Sequence, residues 1–160
     1  MKIAIISDSH YNDSSIKAIK NYIKDVDVLI HCGDGVPDVY KIAENFNGEV
    51  YGVQGNCDFS NEFPNERIIE IEGKRIFVCH GHFYNVKNGY NNIFFKAKEL
   101  GVDIALFGHS HLGIILDNDG VLLMNPGSIS LPYGDTKRSL GFIDIKNDKI
   151  IDAYLKEFVV

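Results

Sequence analysis

Two histidines two residues apart, His109 and His111, sit in "LFGHSHLG" (106–113), directly after the apolar run "VDIALF" and between glycines. Four more short segments have the same build: an apolar run, then a small residue, then a side chain able to bind a metal. "SDSH" carries Asp8 and His10, "HCGD" carries Asp34, "QGNCD" carries Asn56, Cys57 and Asp58, and "CHGH" carries His80 and His82. Carboxylate, imidazole and amide are the ligand types of divalent metal sites. Any one segment alone reads as an ordinary strand end: a Gly-Asp pair is a turn, and His-x-His is two solvated side chains. Five together, at the same end of the same kind of element, read as a metal centre. The glycines let the backbone turn sharply and let groups approach closely.

The elements that must position these residues alternate. "KIAIIS" (2–7) is a short β-branched run suited to a buried strand. Residues 13–24 place Ile16, Ile19, Tyr22 and Ile23 at helical spacing, with Asp13, Ser14 or Ser15 as the expected N-cap. Residues 26–31 form a second strand, 36–47 a second helix ended near Gly48, and 49–54 a third strand. Such β-α-β-α-β order implies a parallel sheet. In the second half, 66–81 reads as two strands turning at Glu72-Gly73-Lys74, 89–101 as a helix, and 102–109 as a strand. Two hairpins follow, turning at 117–120 and 146–148. The expected fold is α/β with mixed sheets, and residues 1–160 read as one domain, with no repeat, linker or low-complexity tract. In open α/β sheets ligands bind outside the carboxyl ends of the strands. Five of the six histidines fall there; the sixth, His31, immediately precedes Cys32-Gly33-Asp34.

Composition narrows the function. A 160-residue chain buries about 70% of its unfolded surface, enough for a core without staples. Net charge is −6, with no basic block or Lys/Arg stripe, so no direct nucleic-acid-binding patch is expected. An acidic protein can still act on a phosphate ester if bound cations supply the positive charge. No apolar run approaches the roughly 20 residues that span a bilayer, and "MKIAIISDSH" reads as a first strand, so no membrane association and a cytoplasmic location are expected. Cys32, Cys57 and Cys79 show no CxxC spacing and read as small buried apolar residues without a disulfide. There is no P-loop, no GxGxxG after the first strand and no HExxH; "GHSHL" lacks the second glycine of a nucleophile elbow.

From Asp8 to Ser128 the blocks "DSH", "GD", "GNCD", "HGH" and "GHSH" follow one another in an order and at intervals that resemble the calcineurin-like metallophosphoesterases. The short length and "NPGS" (125–128) look like that superfamily's compact archaeal and bacterial phosphodiesterase branch, which shares its fold with a eukaryotic retromer scaffold subunit. The resemblance implies a four-layer α-β-β-α sandwich of two mixed sheets. It also implies two divalent transition-metal ions per chain: one on Asp8, His10 and His111, the other on Asn56, His80 and His109, with Asp34 bridging. Two such ions roughly 3.5–4 Å apart share and acidify a water and clamp both oxygens of an in-line displacement. Their charge of about +4 against two carboxylates and a bridging hydroxide leaves about +1 for a phosphodiester anion. The mixed N/O set suits Mn²⁺, Ni²⁺, Fe or Zn²⁺ better than Mg²⁺ or Ca²⁺, and Mn²⁺ is the first choice.

Around these ligands, Asp38 reads as a solvated helix residue, and Asp58 as orienting a ligand or capping a turn. His82 either contacts phosphate or donates to a partner behind the site. Asn125 and Ser128 close a turn with Pro126 and Gly127. Much of the wider family carries Gly-Asn-His, whose His is thought to protonate the departing oxygen; here Cys57 follows Asn56, and no residue is identified as a general acid. The expected activity is hydrolysis of a small phosphodiester, with specificity in loops 59–64 and 83–92; a homo-oligomer is compatible with the sequence. The alternative is a non-catalytic protein-binding scaffold on the same fold, from which a complete ligand set distinguishes it.

Overall fold

Alternate residues of Lys2–Ile6 (β1) face opposite ways, as the two-residue period of a strand requires. Ile3 and Ile5 join one apolar cluster with Val28 and Ile30, against Ile76, Val78, Ile104, Leu106 and Met124. Ala4 and Ile6 join another, with Ile16, Ile19, Ile23 and Ile42. A strand apolar on both faces must be covered on both, and here one cover is a second sheet and the other a layer of helices. The computed structural model describes residues 1–160.

The other elements are α1 (Asp13–Ile23), β2 (Val28–His31), α2 (Val36–Ala43), β3 (Glu49–Gly52), β4 (Glu66–Ile71) and β5 (Lys74–Cys79). They continue with α3 (Asn91–Leu100), β6 (Ile104–Leu106), β7 (Ile114–Asn118), β8 (Val121–Asn125), β9 (Arg138–Lys146) and β10 (Lys149–Phe158). The first sheet has the order β10-β9-β1-β2-β3 and the second β4-β5-β6-β8-β7. The β1–β2 and β2–β3 pairs are parallel, as the alternation implies, and β9 adds to β1 antiparallel. In the second sheet β5, β6 and β8 are mutually parallel. A third apolar cluster, with Phe77, Phe107, Ile93 and Ala97, seats α3 on that sheet's outer face. The result is the expected four-layer α-β-β-α sandwich of two mixed sheets.

Several boundaries differ from expectation for local reasons. The N-cap of α1 is Asn12, whose Oδ1 accepts the Ser15 N–H at 3.0 Å. Helix α2 stops at Ala43 instead of running to Asn47, because Glu44 turns extended (ψ 121°) and Asn45 turns left-handed (φ 65°). The ladder of the expected strand 102–109 covers only Ile104–Leu106; Phe107 N–H and Gly108 N–H still bond Met124 O and His80 O, and the chain turns into the site after Gly108. Two single 3₁₀ turns, His82–Tyr84 and Val86–Asn88, follow β5 where no element was expected.

Candidate metal centre

Loops at the carboxyl ends of β1, β2, β5, β6 and β8 converge, and they do so through strained backbone. Asp8 (φ 54°), His10 (43°), Asp34 (58°), His109 (69°) and His111 (60°) are all left-handed. Such a conformation costs a non-glycine residue about 1 kcal/mol and persists only where the surroundings enforce it. Here they do. Asp8 N–H donates to Gly33 O and His10 N–H to Asp34 O, tying the β1 loop to the β2 loop. The Asp8 carbonyl accepts from both Ser128 Oγ (2.8 Å) and Ser130 Oγ (2.9 Å), which ties it to the loop after β8. The Asp58 carboxylate accepts the N–H groups of Asp34, Gly35, Val36 and Gly55, all at 2.8–3.0 Å. Asp58 thus fixes the loop that presents Asp34 and is fully used in doing so.

The loops approach too closely for side chains at several points, two of them against the carboxylate ligands. A Cβ on Gly108 would fall 1.9 Å from Ser7 Oγ and 2.5 Å from Asp8 Oδ2. One on Gly55 would fall 2.1 Å from Asp34 Oδ1.

What these loops assemble is a cluster of ligand atoms. Asp8 Oδ1 lies 3.1 Å from His111 Nε2, 3.6 Å from His10 Nε2 and 3.8 Å from His80 Nε2. Asp34 Oδ2 lies 3.3 Å from His80 Nε2 and 3.7 Å from His10 Nε2. Two triads have their ligand atoms within 4.8 Å of one another: Asp8, His10, His111 and Asp8, Asp34, His80. Asp8 belongs to both triads, and Asp34 reaches His10 of the first as well as His80 of the second.

The second oxygens are occupied elsewhere. Asp8 Oδ2 accepts from Ser7 Oγ (2.5 Å) and His109 N–H (3.1 Å), and Asp34 Oδ1 accepts the Cys57 N–H (2.9 Å). Two histidines have fixed tautomers: His80 Nδ1–H donates to Cys32 O (2.8 Å) and His111 Nδ1–H to Leu131 O (2.5 Å). Their Nε2 lone pairs are thereby aimed into the cluster, the usual arrangement of metal-ligating imidazole.

The residues fit divalent ions. Asp8 Oδ1, His10 Nε2 and His80 Nε2 are buried and have no hydrogen-bond partner. Leaving such atoms unpaired costs free energy that a bound cation would offset. The electrostatics agree. Burial by itself raises the Asp8 pKa, but His10 and His111 hold its carboxyl far below the usual range. Burial likewise opposes ionisation of Asp34, yet the His80 contact leaves its pKa at about 2. Both stay anionic. Burial pulls the His80 imidazole down, and the Asp34 and Asp8 carboxylates more than reverse this; for His111 the Asp8 contact raises the pKa outright. Burial, then the neighbouring His80, draws His109 down to about 4, so it is neutral and able to ligate.

Of the seven expected ligands, Asp8, His10, Asp34, His80 and His111 come into mutual contact. His109 lies against His80, ring centroids 5.1 Å apart, while the amide of Asn56 reaches only Cys57 Sγ (3.6 Å). The ring of His82 stacks on Phe83 at 4.0 Å, and its Nδ1 is buried without a partner.

Three readings need correction. Asp38 is not solvated: it is fully buried, and its Oδ2 accepts the Tyr11 N–H at 2.8 Å, pinning the β1 loop. Cys57 is not a buried apolar residue but exposed, whereas Cys32 and Cys79 are buried as expected; all three thiols are free. Asn125 and Ser128 do more than close a turn. Asn125 Nδ2 donates to Gly108 O and Ser110 Oγ, and Ser128 Oγ holds Asp8 O, so both brace the loops that carry Asp8, His109 and His111.

In the sequence His31 is marked only as preceding Cys32-Gly33-Asp34, with no role assigned to it. Its Nδ1 accepts the Gly33 N–H (3.1 Å), so its Nε2–H donates to Ser9 Oγ (2.9 Å), joining the β1 and β2 loops behind the ligands. Its place beside Gly33-Asp34 was the available signal.

Residues 1–148 match the calcineurin-like phosphoesterase superfamily domain. A probable metallophosphoesterase of Bacillus subtilis, YsnB, is 37% identical over 150 residues, covering 92% of this chain and 86% of its own length. The phosphodiesterase MJ0936 of Methanocaldococcus jannaschii is 32% identical over 145 residues, covering 79% and 83%. Among solved structures, Vps29 of Entamoeba histolytica superposes with a TM-score of 0.81 over 99% of this chain and 100% of that one, at 19% identity, which is a likeness of fold alone.

Proposed function

This chain belongs to the calcineurin-like phosphoesterase superfamily, and on that premise we propose that it is a metal-dependent phosphodiesterase. In this reading Asp8, His10, Asp34, Asn56, His80, His109 and His111 hold two divalent ions. The observation that carries it is the trio of buried, unpartnered ligand atoms, Asp8 Oδ1, His10 Nε2 and His80 Nε2, converging beside Asp34 and His111. Bound there, the ions would supply Lewis acidity toward a phosphoryl oxygen and lower the pKa of a water.

The chain's own residues do the rest. Cys32 O and Leu131 O hold His80 and His111 in the tautomer that keeps each Nε2 free of a proton. Ser7 and the His109 N–H occupy Asp8 Oδ2, so only Oδ1 faces inward. The His82 Nδ1 is buried without a hydrogen-bond partner, which counts against the reading in which it donates to a partner behind the site and leaves contact to the phosphate, through the ring's other nitrogen, as the reading kept. Only about two negative charges line a centre that would receive about four positive ones, so a phosphodiester monoanion is attracted.

The mixed carboxylate, imidazole and amide set favours Mn²⁺, with Ni²⁺, Fe and Zn²⁺ as alternatives. Residues from both halves of the chain share the core between the sheets, which supports reading 1–160 as one domain. Three free thiols agree with work in a reducing compartment such as the cytoplasm, and no helix is long and apolar enough to cross a membrane. A protein-binding scaffold would not need to keep the ligand atoms converged and unpaired. The test is metal content of the protein loaded with Mn²⁺, together with hydrolysis of bis(4-nitrophenyl) phosphate and 4-nitrophenyl phosphate. Two ions per chain and a preference for the diester are expected, with both lost in Asp34→Ala. One ion with Asp34 uncoordinated, or a metal-loaded protein inert to both esters, rejects the reading.

A further inference from the structure

A cleft of about 620 Å³ opens beside the candidate metal centre, with His109 and His111 on its inner side. A group attached to a phosphate held at the centre has this space before it. The outer lining is Tyr90, Leu131, Pro132, Tyr133 and Lys87. Tyr133 is 63% exposed and Leu131 54%, so a large aromatic and a large aliphatic side chain stand open to solvent next to a polar site. Tyr90 is held in place from behind by Phe107, ring centroids 5.9 Å apart. Lys87 is the only Lys or Arg on the lining. Of the two loops expected to set specificity, 83–92 supplies Lys87 and Tyr90. The loop at 131–134, which no motif marked, supplies the opposite wall.

We propose that this cleft seats one ester group of the substrate and that the group is a nucleoside. The inference rests on the phosphodiesterase reading and narrows its substrate class. A methyl or glyceryl group would leave most of the space unfilled, whereas clefts of some 300–1,000 Å³ suit ring-bearing ligands. Two tyrosines offer stacking surface to a base, and stacking tolerates any base because each has a π-face. Aromatic walls could also take a quaternary ammonium. Lys87 argues against that, since it sets a like charge beside the cation, whereas it attracts a neutral or anionic ligand. No base-edge donor or acceptor is needed, so purine and pyrimidine nucleosides should be accepted alike.

The experiment is inhibition of bis(4-nitrophenyl) phosphate hydrolysis by adenosine 5′-monophosphate, uridine 5′-monophosphate, phosphocholine and inorganic phosphate, using the Mn²⁺-loaded protein. Both nucleotides should bind about tenfold or more tighter than inorganic phosphate, the modest end of what one base–aromatic stack contributes. Phosphocholine should show no such gain. Tyr133→Ala should remove the nucleotide advantage and leave the phosphate inhibition constant unchanged, while Tyr133→Phe, which keeps the ring, should retain it. Amide chemical shifts of residues 87–90 and 131–134 on adding the nucleotide give a readout that needs no turnover. If the reporter ester is not cleaved, the phosphodiesterase reading fails, and the shifts still decide whether the cleft binds nucleotide. If it is cleaved but nucleotides inhibit no better than phosphate, or phosphocholine inhibits better, the cleft is not a nucleoside seat.

Discussion

His109 and His111, two residues apart, are held differently. The Nδ1–H of His111 is bound by Leu131 O and its Nε2 sits 3.1 Å from Asp8, whereas the His109 ring packs against His80. They should therefore serve different ions. His109→Ala and His111→Ala are each expected to weaken a different site, seen as loss of different anomalous peaks from crystals soaked in Mn²⁺. Losing a group that merely orients a ligand costs about 10–100-fold, and losing the ligand itself should cost turnover no less. The same peak vanishing in both variants contradicts the division.

Cys57 is the second residue whose identity matters. It is exposed, its backbone N–H holds Asp34, and its thiol is pushed up by partial desolvation and then by the Asp34 carboxylate. Two nearby dications would reverse that and favour the thiolate, which has no proton to give. Activated aryl diesters should thus be cleaved far better than alkyl esters, since general acid catalysis contributes about 10²–10⁴-fold. Cys57→His should help poor leaving groups most. Plotting log kcat against leaving-group pKa for both proteins is the check, and parallel lines would mean that position 57 does not face the departing oxygen.

At the scale of elements, the site depends on how closely the loop after β6 can lie on the loop after β1. Gly108 does not lie in the left-handed region, so Gly108→Ala acts through sterics, its methyl driven into Ser7 Oγ and Asp8 Oδ2. Overpacking of this kind typically costs 1–3 kcal/mol. The variant should lose about that much stability in urea melts and bind Mn²⁺ more weakly, because Asp8 must shift. Gly120→Ala, in the β7–β8 turn with nothing within 4 Å of the added carbon, should leave Mn²⁺ binding as it was, despite a strained φ of 77°. Equal loss of Mn²⁺ affinity in both would show that the approach of the two loops is not what positions Asp8.

For the molecule as a whole, acid should act through a residue behind the site. Burial holds His31 neutral, its pKa drawn from 6.5 down to about 4. The unfolded chain, with an ordinary imidazole, binds that proton between about pH 6.5 and 4. The stability this residue contributes is therefore complete above pH 6.5 and lost as pH falls toward 4. His80 and His111 act oppositely in the ion-free protein. Their pKa values are raised, so their contribution is complete below about pH 6.5 and lost as pH rises through the folded values. With metal chelated, stability by urea denaturation should fall on the order of 2 kcal/mol more steeply from pH 6.5 to 4.5 in wild type than in His31→Gln. Slopes that coincide would show that His31 does not take up a proton on unfolding in that range.

The local pattern of the chain was enough for an α/β fold with mixed sheets and for the ligand types, while the four-layer arrangement followed from the family resemblance. A strand such as Lys2–Ile6 that is apolar on both faces demands two covers, and polar residues repeated after successive apolar runs mark one edge of a sheet. The strand ends marked Asp8, His10, Asp34, Asn56, Cys57, Asp58, His80, His82, His109 and His111 as candidates, the family resemblance narrowed them to seven ligands, and folding brings Asp8, His10, Asp34, His80 and His111 into contact. What only the tertiary structure decided are relations between residues far apart in the chain. Ser128 and Ser130 hold Asp8 O from 120 and 122 residues away, and Asp103 holds the start of β5. Asp38 and Asp58 are polar residues whose partners are backbone groups of other loops, and His31 reaches the Ser9 hydroxyl of the β1 loop; no periodicity announces such partners. The cleft walled by Tyr90 and Tyr133 is likewise absent from any local pattern, because its two sides come from loops 43 residues apart that meet only once β6 and β8 pair.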